Sequence, residues 1–150
     1  MGHTCNSIII NAPYDLVFNI SNDIPRWTKL FGSEYKKAEI LKKEANKLTF
    51  RLTDDEDKSW VSWRLLFKDN FFTYSERSEP KFPFNYMKII WLYTQKPDGV
   101  ELTWIQHFQM DEKAKFNDEQ VEGFINKHSK DNLLIFKKTI EEEARPKGVL

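Results

Sequence analysis

The 150-residue chain has a single cysteine, Cys5, so it can build neither an internal disulfide framework nor a cysteine-based zinc site. Glycine is scarce, at 5 residues, which leaves no glycine-rich phosphate loop and no GxSxG elbow. Nucleotide-dependent and serine-hydrolase chemistry therefore lack their usual carriers. Net charge is also missing, because 23 Lys+Arg balance 23 Asp+Glu. That balance argues against nucleic acid, which calls for a basic stripe, and against a polybasic membrane surface. The longest aliphatic run near the start, Ile8-Ile9-Ile10, is far too short for a membrane span. The 3 histidines show no HxH or HExxH spacing, so no metal site is expected. Residues Met1 to Asn6 lack the basic and apolar regions of a signal peptide, so a cytoplasmic, reduced address is expected.

What the chain has in excess is rings. Twelve Phe, 5 Trp and 5 Tyr make 15% of its residues, although 31% are charged and mean hydropathy is −0.63. Rings bury area well but tile poorly, so they either pack a stiff core or line a cavity. No repeat, linker or low-complexity stretch divides the chain, and residues 1–150 read as one domain.

Ser7 to Ile10 predicts a strand from its β-branched residues. Asn11-Ala12-Pro13 opens a short helix carrying Leu16, Val17 and Ile20, which Ser21-Asn22-Asp23 ends. Pro25 starts a second short helix with Trp27, Leu30 and Phe31. After Gly32 the period becomes two. Strands are expected over Tyr35–Lys43, Lys47–Thr53, Ser59–Phe67, Phe71–Ser78, Phe84–Thr94 and Val100–Met110, joined by short turns as a meander. From Asn117 or Asp118 a long helix carries Val121, Phe124, Ile125, Leu133, Phe136 and Ile140, until Pro146 stops it. This order predicts an α+β fold: a curved antiparallel sheet of about seven strands around a long C-terminal helix, with two short helices after strand 1. The gap between sheet and helix is a natural cavity.

Alternation places Trp60, Ser62, Arg64 and Leu66 on one face of their strand and Val61, Trp63, Leu65 and Phe67 on the other. Arginine is scarce, at 5 against 18 lysines, so Arg64 is not a general-purpose surface cation. If its face is inward, the guanidinium must be paired or must meet a polar ligand, where it could hold an enolate. If outward, Arg64 is solvated and the opposite face is core. As an unpaired pocket cation, Arg64 replaced by Ala should leave the protein folded. Gln106, between Trp104 and Phe108, either orients a bound oxygen or satisfies a buried backbone group. His107 points to the other face, His3 is expected in a loose tail, and His128 on the helix is a general-base candidate or a structural histidine. The Asp54-Asp55-Glu56-Asp57 run reads as a solvated hairpin tip rather than a calcium loop, for it lacks the glycine and the spaced glutamate.

Several stretches together resemble the polyketide aromatase/cyclases of the Bet v 1-like, START-related helix-grip superfamily. They are Asn11-Ala12-Pro13 with Val17-Phe18, Asn22-Asp23-Ile24 with Trp27, Leu30-Phe31, and Glu34-Tyr35. Phe50-Arg51-Leu52-Thr53, Ser59-Trp60-Val61-Ser62 with Arg64, Tyr86-Met87 with Trp91, Trp104-Ile105-Gln106 with Phe108, and Ile125-Asn126 with Ser129 continue it. The resemblance implies a cavity that receives a poly-β-ketone on the phosphopantetheine of an acyl carrier protein, promotes aldol closure and dehydrates the product to an aromatic ring. It implies no other cofactor, polyketide synthase components as partners, and a monomer or weak homodimer. By the same resemblance Arg64, Tyr35 and Gln106 are catalytic. Trp27, Trp60, Ser62, Phe84, Met87, Trp91, Trp104 and Phe108, with His128 and Asn132 on the helix, form the substrate-binding set. Lys58 and Trp63 depart from the family pattern. A non-catalytic START-like carrier of a hydrophobic or aromatic molecule, and a domain with a filled aromatic core, are the alternatives.

Overall fold

A computed structural model describes residues 1–145; Pro146, expected to stop the last helix, lies outside them. The strands are β1 (Gly2–Ile10), β2 (Tyr35–Glu44), β3 (Lys47–Asp54), β4 (Ser59–Phe67), β5 (Phe72–Glu79), β6 (Phe84–Lys96) and β7 (Gly99–Met110). They form one antiparallel sheet in the order β1-β7-β6-β5-β4-β3-β2, so the meander runs unbroken from β2 to β7 and β1 closes on β7. The helices are α1 (Tyr14–Ser21), a 3₁₀ turn at Ile24–Arg26 leading into α2 (Trp27–Leu30), and α3 (Asp118–Ala144). The α+β architecture with two short helices after strand 1 is thus the expected one. No helix among the described residues is long and apolar enough to cross a membrane.

β1 is longer than its β-branched run suggests. It begins at Gly2, opposite Phe108, and takes in His3, whose ring lies 4.5 Å from that of His107 on the outer face. His3 is therefore strand, not tail: backbone pairing to β7 holds polar residues that alternation alone does not mark. Thr4 and Asn6 face inward and are bonded there to Gln106 (3.5 Å) and Asn126 (3.0 Å).

Asn117 caps α3 by a reciprocal capping box with Gln120. The buried stripe of α3 is Val121, Ser129, Asn132, Leu133, Phe136 and Ile140, while Phe124 is turned outward against Phe116. The middle of the stripe is polar because the helix there spans a void rather than packing on the sheet. A large apolar cluster, including Val17, Phe18, Ile24, Leu30, Phe50, Trp91, Trp104 and Phe136, fills one end of the grip. A smaller one, Met87, Phe108 and Val121, fills the other.

Gly99 turns β6 into β7 at φ 142°, and a Cβ there would stand 2.2 Å from the Ile10 carbonyl oxygen. Gly123, by contrast, lies in α3 with open space around it. Gly99→Ala is expected to cost about 2 kcal/mol, a fall of roughly 4–8 °C in Tm, because backbone must move. Gly123→Ala is expected to raise Tm by a few degrees, since alanine gains about 1 kcal/mol of helix propensity. Thermal melts of the two variants decide both.

Candidate functional site

Between the two apolar clusters lies a cavity of about 720 Å³. Its rim carries the exposed residues Ser33, Asp55, His128 and Asp131, and its walls include Trp27, Trp60, Phe84, Met87, Trp91 and Trp104. β4 turns Ser62 and Arg64 inward and Trp63 outward, where Trp63 meets Tyr74 and Lys47. The inward reading of Arg64 therefore holds, and Trp63 belongs to the outer face.

Arg64 is 1% exposed and forms the floor of the cavity. Its Nε donates to Asn22 Oδ1 at 2.8 Å, one terminal nitrogen to Ser75 Oγ at 3.1 Å, and the other to Thr73 Oγ1 at 2.8 Å. Its carbon centre lies 4.0 Å from the Trp91 ring centroid and 5.4 Å from that of Trp27. Strand register explains the set: Ser75 is directly opposite Arg64, and Thr73, two residues on, is opposite Trp91. Asn22 follows α1, and its amide also donates to Tyr93 Oη at 3.0 Å, which in turn bonds Ser21 Oγ at 2.8 Å. Among the described residues no carboxylate pairs with this cation. Burial lowers its pKa to about 10, so the guanidinium still carries its charge at neutral pH. Its N–H donors also meet the Tyr93 hydroxyl, so every partner of the cation is a neutral oxygen.

The idea of an unpaired cation needs correcting. Asn22, Ser75 and Thr73 are all buried, and Arg64 is the donor to the Asn22 Oδ1 and to both hydroxyl oxygens.

Tyr35 starts β2 at the cavity wall, with its ring against Phe31 and Trp60; burial pushes its hydroxyl well above the ordinary tyrosine range. Gln106 accepts from Thr4 through Oε1, which leaves its amide NH₂ for the cavity. His128 and Asn132 also reach the wall, from α3. Phe108 is the exception: it is fully buried in the smaller cluster, edge-on to Phe84, and does not line the cavity. The inward periodicity was right, but Phe84 and Met87 stand in front of it. Trp104 stacks on Trp91 at 4.7 Å, and its Nε1 is the one buried side-chain polar atom without a hydrogen-bond partner among the described residues.

Two further wall residues, Arg77 and Glu34, lie outside the expected site set. Arg77 on β5 lies over Trp60 at 4.6 Å and donates to the Pro80 and Phe82 carbonyls at 2.8 and 2.9 Å. Burial lowers its pKa to about 10. Its rarity among the cations was the available clue, the same one that marked Arg64. Glu34 precedes Tyr35 and belongs to the wall as well. Asp54 and Asp55, expected at a solvated hairpin tip, border the cavity, with Asp54 Oδ1 accepting from the Glu56 and Lys58 amides. No group of three metal-ligating side chains occurs among the described residues.

A curved antiparallel sheet closed by a long helix, with a cavity between them, defines the helix-grip class to which START-related proteins belong. No protein-family model matches the chain. Over 146 residues, 94% of this chain and 95% of its relative, it is 41% identical to a Streptomyces cyaneus protein named "putative polyketide cyclase". The chain belongs to the polyketide cyclase family. Among solved structures, the Zhui aromatase/cyclase of a Streptomyces species is similar over 99% of this chain and 98% of its own, with TM-score 0.86 and 20% identity. A STAR-related lipid transfer protein of Xanthomonas axonopodis is similar over 92% and 85%, with TM-score 0.74 and 13% identity. At such identities these two likenesses speak for the fold alone.

Removal of Arg64 leaves three buried acceptors without their donor, each costing about 1–3 kcal/mol. Arg64→Ala is therefore expected to lose about 3 kcal/mol in urea denaturation, with Arg64→Lys, which keeps the charge but not the fork, falling between. An alanine variant that unfolds at the wild-type urea concentration would show that the network does not hold the floor.

Proposed function

We propose that the protein is an aromatase/cyclase of aromatic polyketide biosynthesis, which folds a carrier-bound poly-β-ketone in the cavity and promotes aldol closure and dehydration. One observation carries the reading: a permanent cation without a carboxylate partner lies at the floor of an aromatic-walled cavity. A molecule that only needs apolar shelter gains nothing from such a cation. A chain of ketone oxygens does, because enolate and alkoxide charge develop on them during closure.

Arg64 receives a ketide oxygen and holds the charge that forms there. The Gln106 amide binds a neighbouring oxygen and fixes the register of the chain, with Tyr35 beside it on the same wall. Trp27, Trp60, Trp91 and Trp104 give flat walls on which a conjugating product stacks, and they exclude water. The proton between two carbonyls is already acidic, so holding a single folded geometry can supply much of the rate. The substrate would arrive on the phosphopantetheine of an acyl carrier protein, with no other cofactor required by this chemistry. Exposed lysines of β2 such as Lys37, Lys42 and Lys43 offer charge of the sign that an acidic carrier needs.

Reconstitution with a minimal polyketide synthase tests the reading. Wild-type protein is expected to shift the products from spontaneous shunts to one directed cyclisation, and Arg64→Lys to reduce that shift at least tenfold, since one removed oxyanion donor costs about 10²–10³. A product profile identical with and without wild-type protein would sink it. The fold is shared with a lipid transfer protein, so the second reading is a non-catalytic carrier of an aromatic molecule. It would be favoured by tight binding of a flat polyphenol with no change in products.

A further inference from the structure

A second acid–base group stands behind Tyr35. Gly32, at φ 63°, turns the chain out of α2 so that Ser33, Glu34 and Tyr35 run along the cavity wall. From the other side, α3 presents His128 and Asn132 to the same wall. The Glu34 carboxylate is where the two meet. The Tyr35 hydroxyl donates to it. Asn132 Nδ2 donates to its Oε2 at 3.5 Å, and His128 Nδ1 lies 4.0 Å from its Oε1. The other charged groups of the cavity are Arg64 on β4, Asp131 on α3, Asp54 and Asp55 around the end of β3, and Glu76 and Arg77 on β5. Of these, Arg77 bears on Tyr35, favouring charge on its oxygen.

Burial raises the pKa of the Glu34 carboxyl, against the pull of His128. It raises that of Tyr35 much more, so Tyr35 stays a neutral phenol at ordinary pH. A neutral phenol can take a proton on its oxygen only if it passes its own proton on, and Glu34 is the acceptor within reach.

We propose that Glu34 works through Tyr35 as the proton store of the site: Tyr35 takes the methylene proton of a β-dicarbonyl chain while handing its hydroxyl proton to Glu34. This rests on the cyclase reading above. The C–H bond breaks and its electron pair becomes the enolate, whose charge the cavity cations Arg64 and Arg77 favour. One O–H bond forms on Tyr35 as another is given up, and negative charge passes from Glu34 to the enolate. After the carbon–carbon bond forms, the alkoxide takes a proton from Tyr35, and Glu34 restores it. The aldol addition thus begins and ends with the same protonation states, and no outside reagent enters. His128 and Asn132 are positioning residues that hold the carboxylate toward the tyrosine.

Two measurements keep this relay separate from the cyclase reading. The first involves no reaction: carbon NMR of labelled glutamate side chains, assigned with Glu34→Gln, follows Glu34 through a pH titration. Its midpoint is expected above the ordinary glutamate range. It should rise further in Tyr35→Phe, where the charged carboxylate loses a hydrogen bond, and in His128→Asn, where it loses the pull of His128. The same midpoint in wild type and Tyr35→Phe overturns the relay, whatever the protein catalyses. The second uses the reconstituted synthase. Glu34→Gln is expected to lower the rate of directed product about 10²-fold, the lower end for general acid–base catalysis. Polyphenol binding should stay within twofold, and Glu34→Asp should restore part of the rate. Wild type should gain rate as pH rises through the Glu34 midpoint, and Glu34→Gln should lose that rise. A Glu34→Gln variant with wild-type rate and wild-type pH profile overturns the proposal. Wild-type protein that leaves the products unchanged counts against the cyclase reading itself, and the titration then decides the Tyr35–Glu34 coupling alone.

Discussion

A permanent positive charge buried away from any carboxylate is the constraint around which the structure is arranged. Desolvating a guanidinium is costly, and here neutral groups offset the cost: an amide oxygen, two hydroxyls and the faces of two indoles. They come from four parts of the chain. Asn22 follows α1, Thr73 and Ser75 lie on β5, Trp91 on β6 and Trp27 on α2. Placing the cation therefore fixes how α1 and α2 sit on the sheet. Had a carboxylate joined the set, the charge would be neutralised within the protein. Without one, the field of Arg64 is left for whatever occupies the cavity.

The same arrangement accounts for the ring excess. Aromatic side chains do both jobs considered at the outset. Phe18, Phe31, Phe50 and Phe136 pack the large cluster, and the last three meet Trp27 or Trp104. Trp27, Trp60, Trp91 and Trp104 line the void. α3 reflects the division along its own length, with aliphatic or aromatic residues where it packs and Ser129 and Asn132 where it spans the cavity.

Much of this was legible in the sequence because strands alternate with period two. The bounds of β4 and the grouping of Ser62 with Arg64 on one face follow from that rule, while the choice of that face as the inward one does not. Alternation gives a side but not a depth, which is why Phe108 pointed the right way and yet lies behind Phe84 and Met87. Helical periodicity failed at Phe124 for a related reason: an apolar residue at the right spacing can still be turned toward a neighbour on the surface. His3 was hidden because strand pairing depends on β7, about a hundred residues away. Glu34 lay in no periodic segment, and its burial comes from α3, 98 residues further along at Asn132. The inward face of β5 reads as polar, as an exposed strand does, because Thr73 and Ser75 serve Arg64 and Arg77 stands beyond them.

The tryptophan placement has an optical consequence. Four of the five indoles border one void, two of them stacked on each other at 4.7 Å and two within 5.4 Å of the Arg64 guanidinium. The fluorescence of the chain therefore originates largely where a ligand would sit, next to a charge whose screening the ligand would alter. Occupancy of the cavity is written into the intrinsic emission, with Trp63 on the outer face as the internal standard.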